Sequence, residues 1–228
     1  MNKNLITYAF VAAALIAVGA LAYFTMGGGG GGAGLLAGGG GADVEIKDSD
    51  RVHGSPDAPV TMIEYASMTC SHCAAFQVQV LPDLKRDYID TGKVKLVLRE
   101  FPLDAGARMA SSLARCLEGE AYFNFIDLLF RNQQTWWIDL FSNNQQVTQQ
   151  TVEESLANMA RIAGLGRDQA IACANNPDNL AIVDANWQEG QSRYGVNSTP
   201  TFVIGGEVYR GEISYDALKA AIDPLAGG

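Results

Sequence analysis

The chain has 228 residues and a formal net charge of −9, with no cluster of Lys and Arg anywhere. So acidic a chain is repelled by a phosphate backbone, which argues against nucleic acid as a partner. Once the first 43 residues are set aside, about 185 remain, enough for one domain with a sizeable core or one domain carrying a large insertion.

Residues 5–26 carry no charge, and about 20 apolar residues suffice to cross a bilayer as a helix. Lys3 precedes the stretch, and Asp43 and Glu45 are the first charges after it. That asymmetry leaves the N-terminus in the cytoplasm and the rest outside. The apolar run exceeds the roughly 7–15 residues of a signal-peptide core, which favours a retained transmembrane anchor over residues 1–26. Ala20-Leu21-Ala22 also fits a cleavage signal, and cutting there would release the protein. Under either reading the remainder works at the extracytoplasmic, or periplasmic, face of the cell membrane. Residues 27–43 follow as a Gly-rich linker, a flexible tether spanning about 20–25 Å on average.

Residues 60–66 are short and apolar between Pro59 and Ser67, and read as a buried strand. A helix follows, with Phe76, Val80, Leu84 and Tyr88 on one face and a kink expected near Pro82. Residues 94–101 form a second strand ended by Pro102, so strand, helix and strand make a parallel crossover. Helical periodicity then occupies 109–118, 120–131, 152–163, 167–175 and 177–194, with Thr151 and Asp178 as helix starts. Residues 201–204 and 207–210 flank Gly205-Gly206 as a hairpin, and 214–225 close as a helix. The pattern is one α/β domain with a helical insertion.

Of the four cysteines, Cys70 and Cys73 frame Ser71-His72 at the strand-to-helix junction, while Cys116 and Cys173 fall in two separate predicted helices. A sulfur at a helix start lies over free N–H groups and the positive end of the helix dipole, which stabilises the thiolate. His72, between the two cysteines, adds positive charge. Cys70 is the expected attacking sulfur and Cys73 the thiol that resolves the mixed disulfide. Half a zinc site and a strained structural disulfide are the competing readings; zinc wants four ligands, and only Cys116, Cys173 and His53 remain to complete a set. For Cys116 and Cys173 an oxidising compartment favours a structural disulfide, against a second redox pair or two unrelated thiols.

Glu64 stands in a strand that otherwise reads as buried, where an acid needs a task or a partner. It is either a proton relay to Cys73 or a strand-edge residue facing solvent, with Lys95 or Arg99 as counter-charge. Thr199-Pro200 sits at a strand start, where proline is tolerated. A cis bond there would free the Thr199 backbone to pair with a bound peptide; the sequence alone does not select the isomer. Trp136, Trp137 and Phe141 read as core packing or as an exposed platform for unfolded peptides, and His53 as a solvated loop residue. Asn197-Ser198-Thr199 matches a glycan acceptor but abuts Pro200, where a glycan would block the site.

Four blocks together resemble the DsbA-like branch of the thioredoxin superfamily: 54–60; Glu64 with Cys70-Ser71-His72-Cys73; Arg99 to Leu103; and Val196 to Phe202. The resemblance covers 44–226 with every block in order. It implies an α/β thioredoxin fold split into 44–103 and 197–228 by an inserted all-helical domain at 104–196. It also implies Cys70 as nucleophile, Cys73 as resolving thiol, Pro200 in cis, Glu64 as a buried acid and a non-catalytic Cys116–Cys173 disulfide. Many oxidases of this family have proline where this chain has Ser71, and threonine before the cis proline also occurs in isomerases and reductases. The expected function is a protein-disulfide oxidoreductase, foremost a dithiol oxidase for unfolded or reduced exported proteins. It would be served by a membrane redox partner (a quinone-linked oxidase or a reductase) and need no cofactor or metal. Alternatives are a reductase or isomerase on the same fold, or a thioredoxin-fold chaperone or metal-binding module.

Overall fold

The computed structural model describes residues 44–142 and 146–227. The segments read above as membrane anchor and linker lie outside the described residues; among the described residues no helix is long and apolar enough to cross a membrane. The elements in chain order are β1 (Arg51–His53), β2 (Val60–Ala66), α1 (71–89) and β3 (Val94–Glu100). Six α-helices follow among the described residues: α2 (Ala105–Ala114), α3 (Glu120–Arg131), α4 (Gln133–Trp136), α5 (Gln149–Ile162), α6 (Arg167–Ala174) and α7 (Pro177–Tyr194), with a 3-10 turn at Ile138–Phe141 after α4. The chain closes with β4 (Thr201–Ile204), β5 (Glu207–Arg210) and α8 (Tyr215–Ala226).

The five strands lie in the order β1-β3-β2-β4-β5. β2 and β3 run parallel across the α1 crossover, and β1, β4 and β5 each pair antiparallel with their neighbours. Period-2 alternation divides the sheet between two layers. Met62, Leu96 and Phe202 pack under Phe76, Leu84 and Tyr88 of α1 and Leu218 and Ile222 of α8. Ile63, Tyr65, Val97 and Val203 face the other way, against Trp187 and Tyr194 of α7. This is the thioredoxin fold with a helical insertion between β3 and β4. The last insertion helix, α7, supplies the second covering layer, and α2, α3, α5 and α6 share one apolar core with Ala66, Met68, Cys70, Cys73 and Leu98. The dithiol site therefore sits on the seam between sheet and insertion.

Several local expectations need correction. His53 is not in a solvated loop: it ends β1, opposite Leu96, and is 8% exposed, with its ring stacked 4.6 Å from that of Phe123. β1 is short and polar, so periodicity does not reveal it; only pairing with β3 makes it a strand. α2 starts at Ala105 because the Asp104 carboxylate accepts the Ala107 N–H, and it ends at Ala114, so Cys116 lies in the following turn. α5 starts at Gln149, because Thr148 caps it in a reciprocal box with Thr151. Near Pro82 the chain winds as π-helix over Phe76–Val80 and again over Lys85–Ile89. Widening the turn ahead of the proline accommodates a residue that has no N–H to donate and whose ring crowds the preceding carbonyls. Trp136 is fully buried, with Nε1 donating to the Leu129 carbonyl at 2.8 Å, while Phe141 is exposed.

Candidate active site

β2 ends at Ala66, and a three-residue link delivers Cys70 as the N-cap of α1, in extended conformation (φ −82°, ψ 120°). The link is held from both sides. The Thr69 hydroxyl donates to Asp104 Oδ2 at 2.6 Å, and the buried Gln133 amide donates to the carbonyls of Met68 (2.9 Å) and Cys70 (3.1 Å). Sequence reasoning missed both supports. Asp104 was detectable as a cap ahead of an alanine-rich helix; no local signal marks Gln133.

Cys70 and Cys73 are both free thiols. Cys70 is 9% exposed and Cys73 fully buried. The Cys70 Sγ donates to the Thr199 carbonyl at 3.4 Å, and the Thr199–Pro200 bond is cis. Hydrogen bonding from the Cys73 thiol is the largest influence drawing the Cys70 pKa down, to about 5. Burial opposes it, and the Thr199 side chain and the backbone N–H groups of Cys73 and His72 add to the lowering. Burial pushes Cys73 well up, helped by its bond to Cys70 and the nearby Glu64 charge. The two sulfurs are thus driven apart, one a ready thiolate and the other a retained proton.

Glu64 lies on the face of β2 shared with Met62 and Ala66, and it is completely buried. Neither carboxyl oxygen has a hydrogen-bond partner among the described residues. The proposed counter-charges are engaged elsewhere: Arg99 pairs with Asp50 (2.7 Å) and Glu189 (3.0 Å), and the Lys95 ammonium donates to the Pro56 carbonyl at 2.9 Å. Burial, followed by the Cys70 charge, pushes the Glu64 pKa up to about 8. An uncharged carboxyl is the expected resting state of such a group.

The exposed His72 ring bonds through Nδ1 to Glu212 Oε1 at 2.5 Å, which raises its pKa, and the Cys70 charge raises it further; its backbone N–H also supports Cys70. Cys116 and Cys173 are joined in a disulfide with Cα atoms 6.0 Å apart. Cys173 belongs to the same apolar core as Cys70 and Cys73. Among the described residues no group of three or more His, Cys, Asp or Glu is placed to hold a metal ion.

A C-x-x-C at a helix start, facing a cis proline just ahead of β4, defines a thioredoxin-fold dithiol centre. The family profile for thioredoxin matches residues 47–224. A Rickettsia conorii protein named a putative protein-disulfide oxidoreductase is 31% identical over 179 residues, covering 78% of this chain and 61% of that protein. The chain therefore spans about three-fifths of the length of that relative. A Bacillus cereus protein named probable disulfide bond formation protein D is 29% identical over 94% of this chain and 92% of its own length. Among solved structures, alpha-DsbA1 of Wolbachia pipientis superimposes with a TM-score of 0.70 and is 30% identical, over 81% of this chain and 94% of that one. The chain belongs to the thioredoxin family, in its DsbA-like branch.

Proposed function

We propose that the protein is an extracytoplasmic thiol:disulfide oxidoreductase acting as a dithiol oxidase. The observation that carries this reading is the asymmetry of the two sulfurs, Cys70 drawn down to about 5 and Cys73 driven up. A stabilised thiolate favours the reduced state, so the Cys70–Cys73 disulfide is a strong oxidant. A substrate thiolate attacks Cys70 Sγ, the Cys70–Cys73 bond breaks, and Cys73 leaves and takes a proton from Glu64. A second substrate thiolate then displaces Cys70, releasing a substrate disulfide and the reduced enzyme. The cis Thr199–Pro200 bend borders Cys70, and there the Thr199 backbone is the natural partner for an extended substrate segment. Substrates are reduced or unfolded exported proteins, and a membrane redox partner, such as a quinone-linked oxidase, restores the disulfide. Residues 5–26 hold the domain at the outer face of the membrane, and Cys116–Cys173 pins the insertion without entering the cycle.

The reduction potential of the Cys70–Cys73 couple tests the direction. Among thioredoxin-fold couples it should lie nearer about −120 mV than about −270 mV, with catalysed oxidation of a reduced peptide that Cys70→Ser abolishes. A potential at the reducing end makes the protein a reductase. Thiol exchange that survives Cys70→Ser removes the dithiol reading altogether.

A further inference from the structure

His53 has no part in the chemistry above, yet it is the second buried titratable group left without a partner near the dithiol site. Its Nε2 is buried and unpaired among the described residues, as are both oxygens of Glu64. Both side chains line one cavity of about 270 Å³. The sheet register explains why. His53 stands opposite Leu96 and Glu64 opposite Leu98, on either side of β3. Leu96 and Leu98 are two residues apart, so both partners project from the same face, under α1 and α3. Two strand spacings across, about 10 Å, and two residues along, about 7 Å, put their backbones about 12 Å apart, a gap that two side chains and one or two waters bridge. Gln77 of α1 and Asn124 of α3 also line the cavity, giving water the polar contacts it needs.

We propose that His53 is the proton port of the dithiol site: its imidazole, with water in the cavity it shares with Glu64, carries protons between the buried carboxyl and solvent. The inference rests on the dithiol exchange proposed above. When the electron pair of the broken Cys70–Cys73 bond leaves on Cys73, Glu64 gives its proton to that sulfur and becomes a carboxylate. A cavity water bonded to His53 Nε2 reprotonates Glu64, and solvent replaces the proton taken. In the resolving direction the route runs in reverse: Glu64 first discharges its proton outward through water and His53, and the carboxylate so formed takes the proton of the Cys73 thiol. A neutral imidazole suits this task, because it accepts on one nitrogen and donates from the other. Burial lowers the His53 pKa, with Lys85 adding to the effect and Glu120 and Asp90 opposing it. Of the charged side chains lining the cavity, Lys85 pairs with Asp90 and Arg131 with Asp127, while Glu120 stands without an ion pair among the described residues.

The test is the rate at which a small dithiol reduces the oxidised protein, measured in H2O and D2O for wild type and His53→Phe. Phenylalanine keeps the ring stacked on Phe123 and removes both nitrogens; His53→Gln, with a polar end, is the second variant. The expected result for either is about a tenfold slowing, below the roughly 10²–10⁴-fold contributed by a group that transfers the proton itself. It should come with a larger solvent isotope effect and recovery on adding imidazole, at an unchanged reduction potential. A folded variant with wild-type rate and isotope effect overturns the proposal, and so does a wild-type rate that shows no solvent isotope effect, whatever the variants do. If instead Cys70→Ser retains exchange, it is the dithiol reading that has failed.

Discussion

Removing the Cys73 thiol probes the largest influence on the Cys70 sulfur. The low Cys70 pKa, about 5, owes more to the Cys73 S–H than to the helix N–H groups or Thr199. A hydrogen bond to a charged group stabilises by about 1.5–3 kcal/mol, and one pKa unit corresponds to about 1.36 kcal/mol. Cys73→Ala should therefore raise the Cys70 pKa by about one to two units. Cys73→Ser keeps an O–H donor at the same position and should stay close to wild type. The assay is thiolate absorbance at 240 nm, or the rate of alkylation, followed against pH in the reduced protein. The sign extends to folding. Because the folded pKa is depressed below its usual 9, the thiolate's stabilisation of the reduced form is fully present above about pH 9 and is lost as pH falls toward 5. Cys73→Ala should flatten that dependence. An alanine variant whose Cys70 still titrates near 5 would refute the reasoning and leave Thr199 and the helix N–H groups as the source of the effect.

Glu64→Gln tests the other half of the asymmetry. With its folded pKa raised from 4.5 to about 8, Glu64 withholds stability as pH rises through that window, because the unfolded chain ionises and the folded one does not. In the reduced protein the Cys70 contribution rises over the same window and opposes this loss, so the difference isolates Glu64: between pH 4.5 and 8 the urea midpoint of Glu64→Gln should gain on that of the wild type, and parallel curves would contradict the burial argument. The same substitution should slow exchange by about 10²–10⁴-fold, the range for a positioned proton donor. For the distal disulfide, with 57 residues of sequence separation, the chain-entropy estimate is about 4 kcal/mol. The double variant Cys116→Ala, Cys173→Ala should lose up to that much in denaturant titration while keeping the Cys70–Cys73 potential.

Read along the chain, the signals that survive are those carried by neighbouring residues. The C-x-x-C after an apolar strand, the Gly205-Gly206 turn with both φ values positive (56° and 85°), and the Ser214 cap of α8 each involve only a few consecutive residues. Such choices are made by backbone sterics and local hydrogen bonds before any distant segment arrives. They suffice for an α/β order with helices between β3 and β4, and they place Cys70 at a helix start.

What the sequence by itself determined is thus the order of elements and the chemistry available at Cys70, Cys73 and Glu64. Only the tertiary structure decided which groups meet. Arg99, one residue from Glu100 on the strand beside Glu64, turns to Asp50 and Glu189 and leaves the Glu64 carboxyl alone. His72, adjacent to Cys73, turns out to Glu212, while His53, seventeen residues before Cys70, is buried beside the cavity that Glu64 lines. The reason is physical. Desolvation and partner choice are set by side chains brought together from strands and helices far apart in the chain, and no spacing within the sequence encodes which of them will exclude water.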